Sequence, residues 1–363
     1  MLRRLADGHT RSVLLGQALP QPILIAPMAY QRLWHDDGEQ ATALAAAMQG
    51  AGLVLSAQSS TRLETVAARV LPEPGRGPLW FQLCWQQDRG ATLVLLQRAE
   101  AAGYEALVLT VDAPCSGASD RERHARFHLP VGMLAVNLPS TSTVPAPRKA
   151  QADPASQGAL CNGLRQHAPT WDDMQWLRGA TRLPLLLKGV LHPDDAAQAQ
   201  APGVAGLIVS DHGGRTLDGA VATAQALPHI ARRLGGAMPL LVDGGIRRCT
   251  EVLKALAVGA HAVLWRRPWP WVERWRWRSA FACCAASSRS PWRCAAAPRW
   301  RTSAPRCCTT PALWRARHTP TSEYVPSRYA LLIRRQALPI IAPSLWPQGP
   351  ATPRSTHATP TQG

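Results

Sequence analysis

The feature that most constrains this chain is a rhythm. Short apolar runs recur at residues 22–28, 53–56, 79–83, 106–111, 185–190, 206–210, 239–242 and 262–265. Runs this short and this continuously apolar are expected of strands buried on both faces, as in a parallel sheet. Helical patterns lie between most of them, at residues 39–50, 90–102, 194–200, 223–234 and 250–257. Eight strands alternating with helices predict an α/β chain that closes as a (β/α)8 TIM barrel.

Composition decides where that barrel stops. The chain has 363 residues and a formal net charge of +17. From Trp265 onward there are sixteen Arg, no Lys and two acids, so +14 of that charge belongs to the tail. Residues 265–317 also hold eight of the fourteen Trp, in phrases such as Trp275-Arg276-Trp277-Arg278. Neither the helical nor the strand period is sustained there. The domain expectation is therefore a barrel over residues 1–264, incomplete at its eighth βα unit, and a disordered or frame-shifted Arg/Trp/Pro-rich tail over 265–363. An Arg/Trp surface that stacks on nucleic acid is the alternative reading of the tail. The near-neutral body gives no reason to expect a nucleic-acid partner.

Four cysteines, Cys84, Cys115, Cys161 and Cys249, are scattered through the body without ligand spacing, and no metal site is expected. Met1-Leu2-Arg3-Arg4 opens the chain without the apolar stretch of a signal peptide, and no run of eighteen apolar residues occurs further on. A reducing cytoplasm is the expected location. Residues 130–170, rich in Pro, Ser, Thr and Ala, come after the fourth strand and are expected to form a lid loop.

Each strand end delivers a side chain suited to chemistry. The first carries Pro27-Met28-Ala29, the second Ser56, the third Gln82, the fourth Thr110 and Asp112, and the fifth Lys188. The sixth ends in Ser210-Asp211-His212-Gly213-Gly214-Arg215, which sets a titratable base three residues from an anion clamp. The seventh ends in Asp243-Gly244-Gly245-Ile246-Arg247, where backbone N–H groups approach without a Cβ and Arg adds a bidentate phosphate partner. Polar groups arriving from many strands on one rim are the mark of a barrel enzyme.

With these phrases, and with Ile25-Ala26-Pro27, Phe81-Gln82-Leu83, Leu109-Thr110-Val111-Asp112 and Lys188-Gly189-Val190, the chain resembles the FMN-dependent α-hydroxy-acid dehydrogenases and oxidases. That family includes glycolate oxidase, lactate oxidase and monooxygenase, and mandelate dehydrogenase. The resemblance runs from about Gly8 to Leu264. It implies FMN as cofactor and a lactate-like (S)-2-hydroxy acid oxidised to the 2-oxo acid, the hydride equivalent passing to flavin N5. His212 would be the base, Asp112 its orienting partner, and Arg215 the carboxylate clamp. Ala29, Ser56, Gln82, Thr110 and Lys188 would meet the flavin ring, and Asp243, Gly244, Gly245, Arg247 and Arg267 the ribityl chain and phosphate. Oxygen or a quinone would take the electrons, and a homo-oligomer is expected.

The sequence also departs from the family. Tyr is expected where Cys84 stands, and a second carboxylate-binding Arg where Ser119 stands, with Arg121 two residues away as its replacement. A Gly is expected where Arg266 stands, and a substrate-binding Tyr in an N-terminal helical segment has no counterpart. A degenerate, non-catalytic relative is therefore the alternative to an active enzyme.

Overall fold

A computed structural model of the chain describes residues 10–86, 88–113, 122, 124–138 and 168–266. The tail, most of the expected lid, Ser119, Arg121 and Arg267 lie outside the described residues.

The chain enters as a hairpin of β1 (Ser12–Leu14) and β2 (Gln17–Leu19). Leu15 and Gly16, both at positive φ, make its turn, as two-residue hairpins require. Next come β3 (Ile23–Ile25), α1 (Gly38–Met48), β4 (Gly52–Ser56), α2 (Leu63–Val70), β5 (Leu79–Cys84), α3 (Arg89–Ala101) and β6 (Ala106–Thr110). The second half comprises α4 (Trp171–Ala180), β7 (Leu185–Val190), α5 (Pro193–Gln198), β8 (Gly206–Val209), α6 (Thr223–Leu234), β9 (Leu240–Val242), α7 (Cys249–Ala257) and β10 (Ala262–Trp265).

Strands β3 to β10 form one closed parallel barrel in sequence order. The eighth strand, expected over residues 262–265, is present and completes the sheet. Strand β10 pairs with β9 on one side and with β3 on the other, through Val263↔Ile23, Leu264↔Leu24 and Trp265↔Ile25. Four apolar residues suffice to close the hydrogen-bond ladder, because closure needs paired backbone and not a further helix. Residues 267–363 lie outside the described residues.

Both strand faces are buried, which explains why the runs read as continuously apolar. Leu24, Val54, Trp80, Val108, Leu186, Ile208, Leu241 and Leu264 fill the barrel interior. Ile25, Leu55, Phe81, Leu107, Leu187 and Val209 face the surrounding helices. The hairpin is a feature that sequence pattern does not reveal. Its Leu14 and Leu19, 2% and 1% exposed, join the interior cluster beside Trp80, Ala106 and Ala262, residues at or near the start of their strands. The hairpin thus closes the end of the barrel where the strands begin, leaving the opposite end for chemistry. Three-residue strands are too short to show a period of two.

Helices α2 and α4 are likewise additions to the sequence reading. α2 buries Leu63, Val66, Ala67 and Val70, a helical spacing compressed into eight residues. α4 is fixed by a capping box between Thr170 and Asp173, which satisfies otherwise unpaired N–H groups of its first turn. Just before the expected lid leaves the described residues, Asn137 anchors it: Oδ1 accepts from Leu63 N at 2.9 Å and Nδ2 donates to Ser59 Oγ at 2.7 Å. Among the described residues no helix is long and apolar enough to cross a membrane.

Candidate active site

The C-terminal ends of the strands assemble three hydrogen-bonded groups. In the first, neighbouring strands β4, β5 and β6 align Ser56 with Gln82, and Cys84 with Thr110. Ser56 Oγ donates to Gln82 Oε1 at 3.0 Å, and Gln82 Nε2 donates to Thr110 Oγ1 at 2.9 Å and Cys84 Sγ at 3.1 Å. All but Cys84 are buried, so these partners satisfy groups that water does not reach. Cys84 keeps some surface, yet its sulfur sits deep among neighbouring atoms. Burial pushes its thiol pKa up, the Asp112 charge adds to that, and the Gln82 hydrogen bond and Lys188 oppose it.

The second group is a buried ion pair. Lys188 Nζ on β7 lies 3.1 Å from Asp243 Oδ2 and donates to Ser210 Oγ at 2.7 Å. Ser210 is a site residue that the sequence reading does not single out; it ends the run at residues 206–210 and also accepts from His212 N at 3.1 Å. It thereby ties the lysine to the backbone of the candidate base.

The third group joins two strand ends across an intervening strand. His212 Nδ1 is 2.9 Å from Asp112 Oδ1. Asp112 reaches over β7 because residue 189 there is glycine. A Cβ on Gly189, at φ +114, would stand 2.4 Å from the Asp112 Cβ, and the β7–β8 register shifts at this point. His212 itself adopts φ +54, an uncommon left-handed conformation for a residue with a side chain. Such strain concentrates at functional sites.

The arginines stand apart from these groups. Arg215 Nη2 donates to Glu122 Oε1 at 2.8 Å, with both side chains about half exposed. Arg247 is 75% exposed and lies 3.7 Å from Glu251. Ala29, half-buried just past β3, lines the same end. Arg121 and Arg267 lie outside the described residues. The structure thus brings Ser56, Gln82 and Thr110 together, Lys188 with Asp243, and His212 with Asp112, and leaves Arg215 and Arg247 on the rim.

Two carboxylate oxygens in this site, Asp112 Oδ2 and Asp243 Oδ1, are buried without a hydrogen-bond partner. An orphaned buried acceptor is costly unless a ligand supplies a donor. Gly244 and Gly245, at φ +81 and +69, come directly after Asp243, and nothing stands within 4 Å of where a Cβ on Gly245 would be. A buried acceptor for a hydroxyl, an open backbone turn and a nearby guanidinium fit a phosphorylated polyol chain. Gln82, Thr110 and Lys188 fit a flat ring that both donates and accepts hydrogen bonds. The residues present fit FMN.

Comparison with known proteins agrees. The FMN-dependent dehydrogenase family matches residues 1–273. An L-lactate oxidase of Alicycliphilus denitrificans is 49% identical over 265 residues, 73% of this chain and 70% of that protein. The 2-hydroxyacid oxidase 1 of Homo sapiens is 38% identical over 271 residues, 75% and 72% of the two chains. The structure of a mandelate oxidase with (S)-2-phenylpropionate superposes with a TM-score of 0.69 at 38% identity, covering 80% of this chain and 78% of that one. Another mandelate oxidase structure, of a variant, carries an FMN adduct. With its barrel closed and its polar groups gathered at one mouth, the chain belongs to the FMN-dependent dehydrogenase family.

Proposed function

We propose that this chain oxidises a small (S)-2-hydroxy acid, lactate-like in size, to the 2-oxo acid, with His212 as base. The observation that carries this reading is the 2.9 Å contact between His212 Nδ1 and Asp112 Oδ1 at the barrel mouth. A carboxylate that accepts from Nδ1–H leaves the Nε2 lone pair free for the substrate hydroxyl proton. As the hydroxyl proton arrives, Asp112 stabilises the imidazolium that forms. Bound FMN supplies the two-electron acceptor for the hydride equivalent that leaves the substrate carbon. The Lys188 ammonium places positive charge beside the ring-binding residues, and Ser56, Gln82 and Thr110 hold the ring's polar edge. Asp243, Gly244, Gly245 and Arg247 would hold the ribityl phosphate, with Arg267 just past β10. Arg215 binds the substrate carboxylate after exchanging Glu122 for it. Arg121 is the candidate for the second carboxylate contact, on sequence position alone. The similarity to oxidases favours oxygen as the final electron acceptor. Residues 1–264 are taken as the catalytic barrel and 265–363 as an appendage outside it.

The test is anaerobic addition of L-lactate, glycolate or mandelate to the flavin-loaded protein. Bleaching of the flavin absorbance is expected with at least one, and hydrogen peroxide on admitting air. Bound flavin that no 2-hydroxy acid bleaches would overturn the catalytic reading and leave the fold intact.

A further inference from the structure

Arg266 comes directly after β10 and has no part in the chemistry above. The ladder fixes its backbone, since Ala26 N donates to Trp265 O at 3.1 Å and Trp265 pairs with Ile25. From there the side chain reaches the turn that carries the candidate base. Its Nη1 lies 3.7 Å from where a Cβ on Gly213 would stand, one residue from His212 and two from Arg215. Crowding by neighbouring atoms lowers the Arg266 pKa, the Arg215 charge lowers it further, and Asp243 acts the other way. The residue nonetheless keeps exposed surface, so a solute can reach it.

The pairing around it is unequal. Lys188 holds Asp243, His212 holds Asp112 and Arg215 holds Glu122. Among the described residues Arg266 makes no ion pair. Two guanidinium groups whose charges act on each other repel, and an anion between them relieves that repulsion. A carboxylate suits that position, because each guanidinium offers paired N–H donors. The sequence resemblance expects a second carboxylate-binding Arg at the position of Ser119. It expects glycine, with no side chain to offer, at the position of Arg266.

Resting on the hydroxy-acid reading above, we propose that Arg266 is the second guanidinium for the substrate carboxylate, gripping it together with Arg215 from the opposite side of the His212–Gly213 turn. A substrate-binding contact that the family draws from the loop after the fourth strand is here drawn from the end of the eighth.

The experiment uses oxalate, an unreactive carboxylate probe, titrated into the flavin-loaded protein and followed by flavin absorbance. FMN affinity is measured in parallel by fluorescence quenching on the apoprotein. In Arg266→Ala and Arg266→Gly the oxalate Kd is expected to rise by roughly 10- to 100-fold, the loss of one charge-assisted contact. The FMN Kd should stay within about twofold. Arg266→Gln keeps the aliphatic stem and a polar end without the charge, and its oxalate Kd must rise as well. Unchanged oxalate affinity in the three variants overturns the proposal alone. A raised FMN Kd assigns the guanidinium to the cofactor phosphate and also overturns it, whatever oxalate does. Wild-type flavin that 2-hydroxy acids bleach but that does not respond to oxalate overturns this proposal alone, whereas flavin that no 2-hydroxy acid bleaches refutes the parent reading, and this one with it.

Discussion

The floor and the rim of the barrel mouth carry charges of the same kinds under opposite conditions. On the floor, the Lys188 and Asp243 side chains are 4% and 7% exposed. On the rim, those of Arg215 and Glu122 are 53% and 47% exposed, at a shorter separation. Distance alone would rank the rim pair as the stronger. Solvent reverses that ranking, since an exposed ion pair is worth about 0–1 kcal/mol, whereas breaking a buried one by removing a partner costs about 3–5 kcal/mol. The floor is therefore fixed before any ligand arrives. The rim is exchangeable, and under the proposed function a substrate carboxylate replaces Glu122 on Arg215 at little cost.

Substitutions at each level test that contrast. The largest effect is expected at the candidate base beside the floor. His212→Ala should slow anaerobic flavin reduction by roughly 100- to 10,000-fold, the usual contribution of a positioned general base. Flavin content should be unchanged, and stopped-flow absorbance measures both. An unaffected rate would remove the base from His212.

Next comes Lys188→Met, which leaves Asp243 and Ser210 buried without their cationic partner. Urea unfolding should show a loss of about 3–5 kcal/mol. A loss below about 1 kcal/mol would mean that floor and rim do not differ as argued. Gly189→Ala should fall between, at about 1–3 kcal/mol, because its new methyl meets Asp112. It should also slow flavin reduction by displacing Asp112 from His212.

On the rim the effects shrink and change sign. Glu122→Gln weakens the resident carboxylate on Arg215, so KM should fall by about two- to fivefold with kcat unchanged, in proportion to an exposed pair. A raised KM would show that Glu122 helps to hold the substrate. The smallest expectation concerns Cys84. Only the thiolate is reactive, and burial raises the folded-state pKa above the ordinary value of a thiol. Cys84 should stay unmodified by iodoacetamide at about pH 8 and react only as the pH climbs well beyond its unfolded value. Peptide mass mapping after labelling reads this directly, and rapid labelling at neutral pH would contradict the burial argument.

Much of the candidate site is legible in the sequence because the barrel places functional groups at or near the C-terminal end of each apolar run. Gln82, Thr110, Asp112, Lys188, His212 and Asp243 all emerge from asking what ends a strand. Ser210 does not, although it ends one, because serine is an ordinary turn residue and gains its role only from Lys188 across the mouth. Glu122 carries no signal, since nothing local ties it to Arg215, 93 positions away. Arg266 stands out as a departure, yet its direction depends on where β10 stops. α2 has the right spacing but too few turns to stand out, and the β1–β2 hairpin too few residues.

The sequence by itself determined the eight strands of the barrel, their parallel arrangement, the two-sided burial and the chemical identity of the strand ends. Period, length and composition are local, and local pattern suffices where every unit repeats the same arrangement. Tertiary structure alone decided how the barrel is sealed, with three-residue pairing of β10 to β3 from opposite ends of the described chain and a β1–β2 hairpin under the strand starts. It also decided which charges are floor and which are rim. Burial and pairing come from several distant strands at once, and the presence of water is what separates a 3 Å contact that costs about 3–5 kcal/mol to break from one that costs almost nothing.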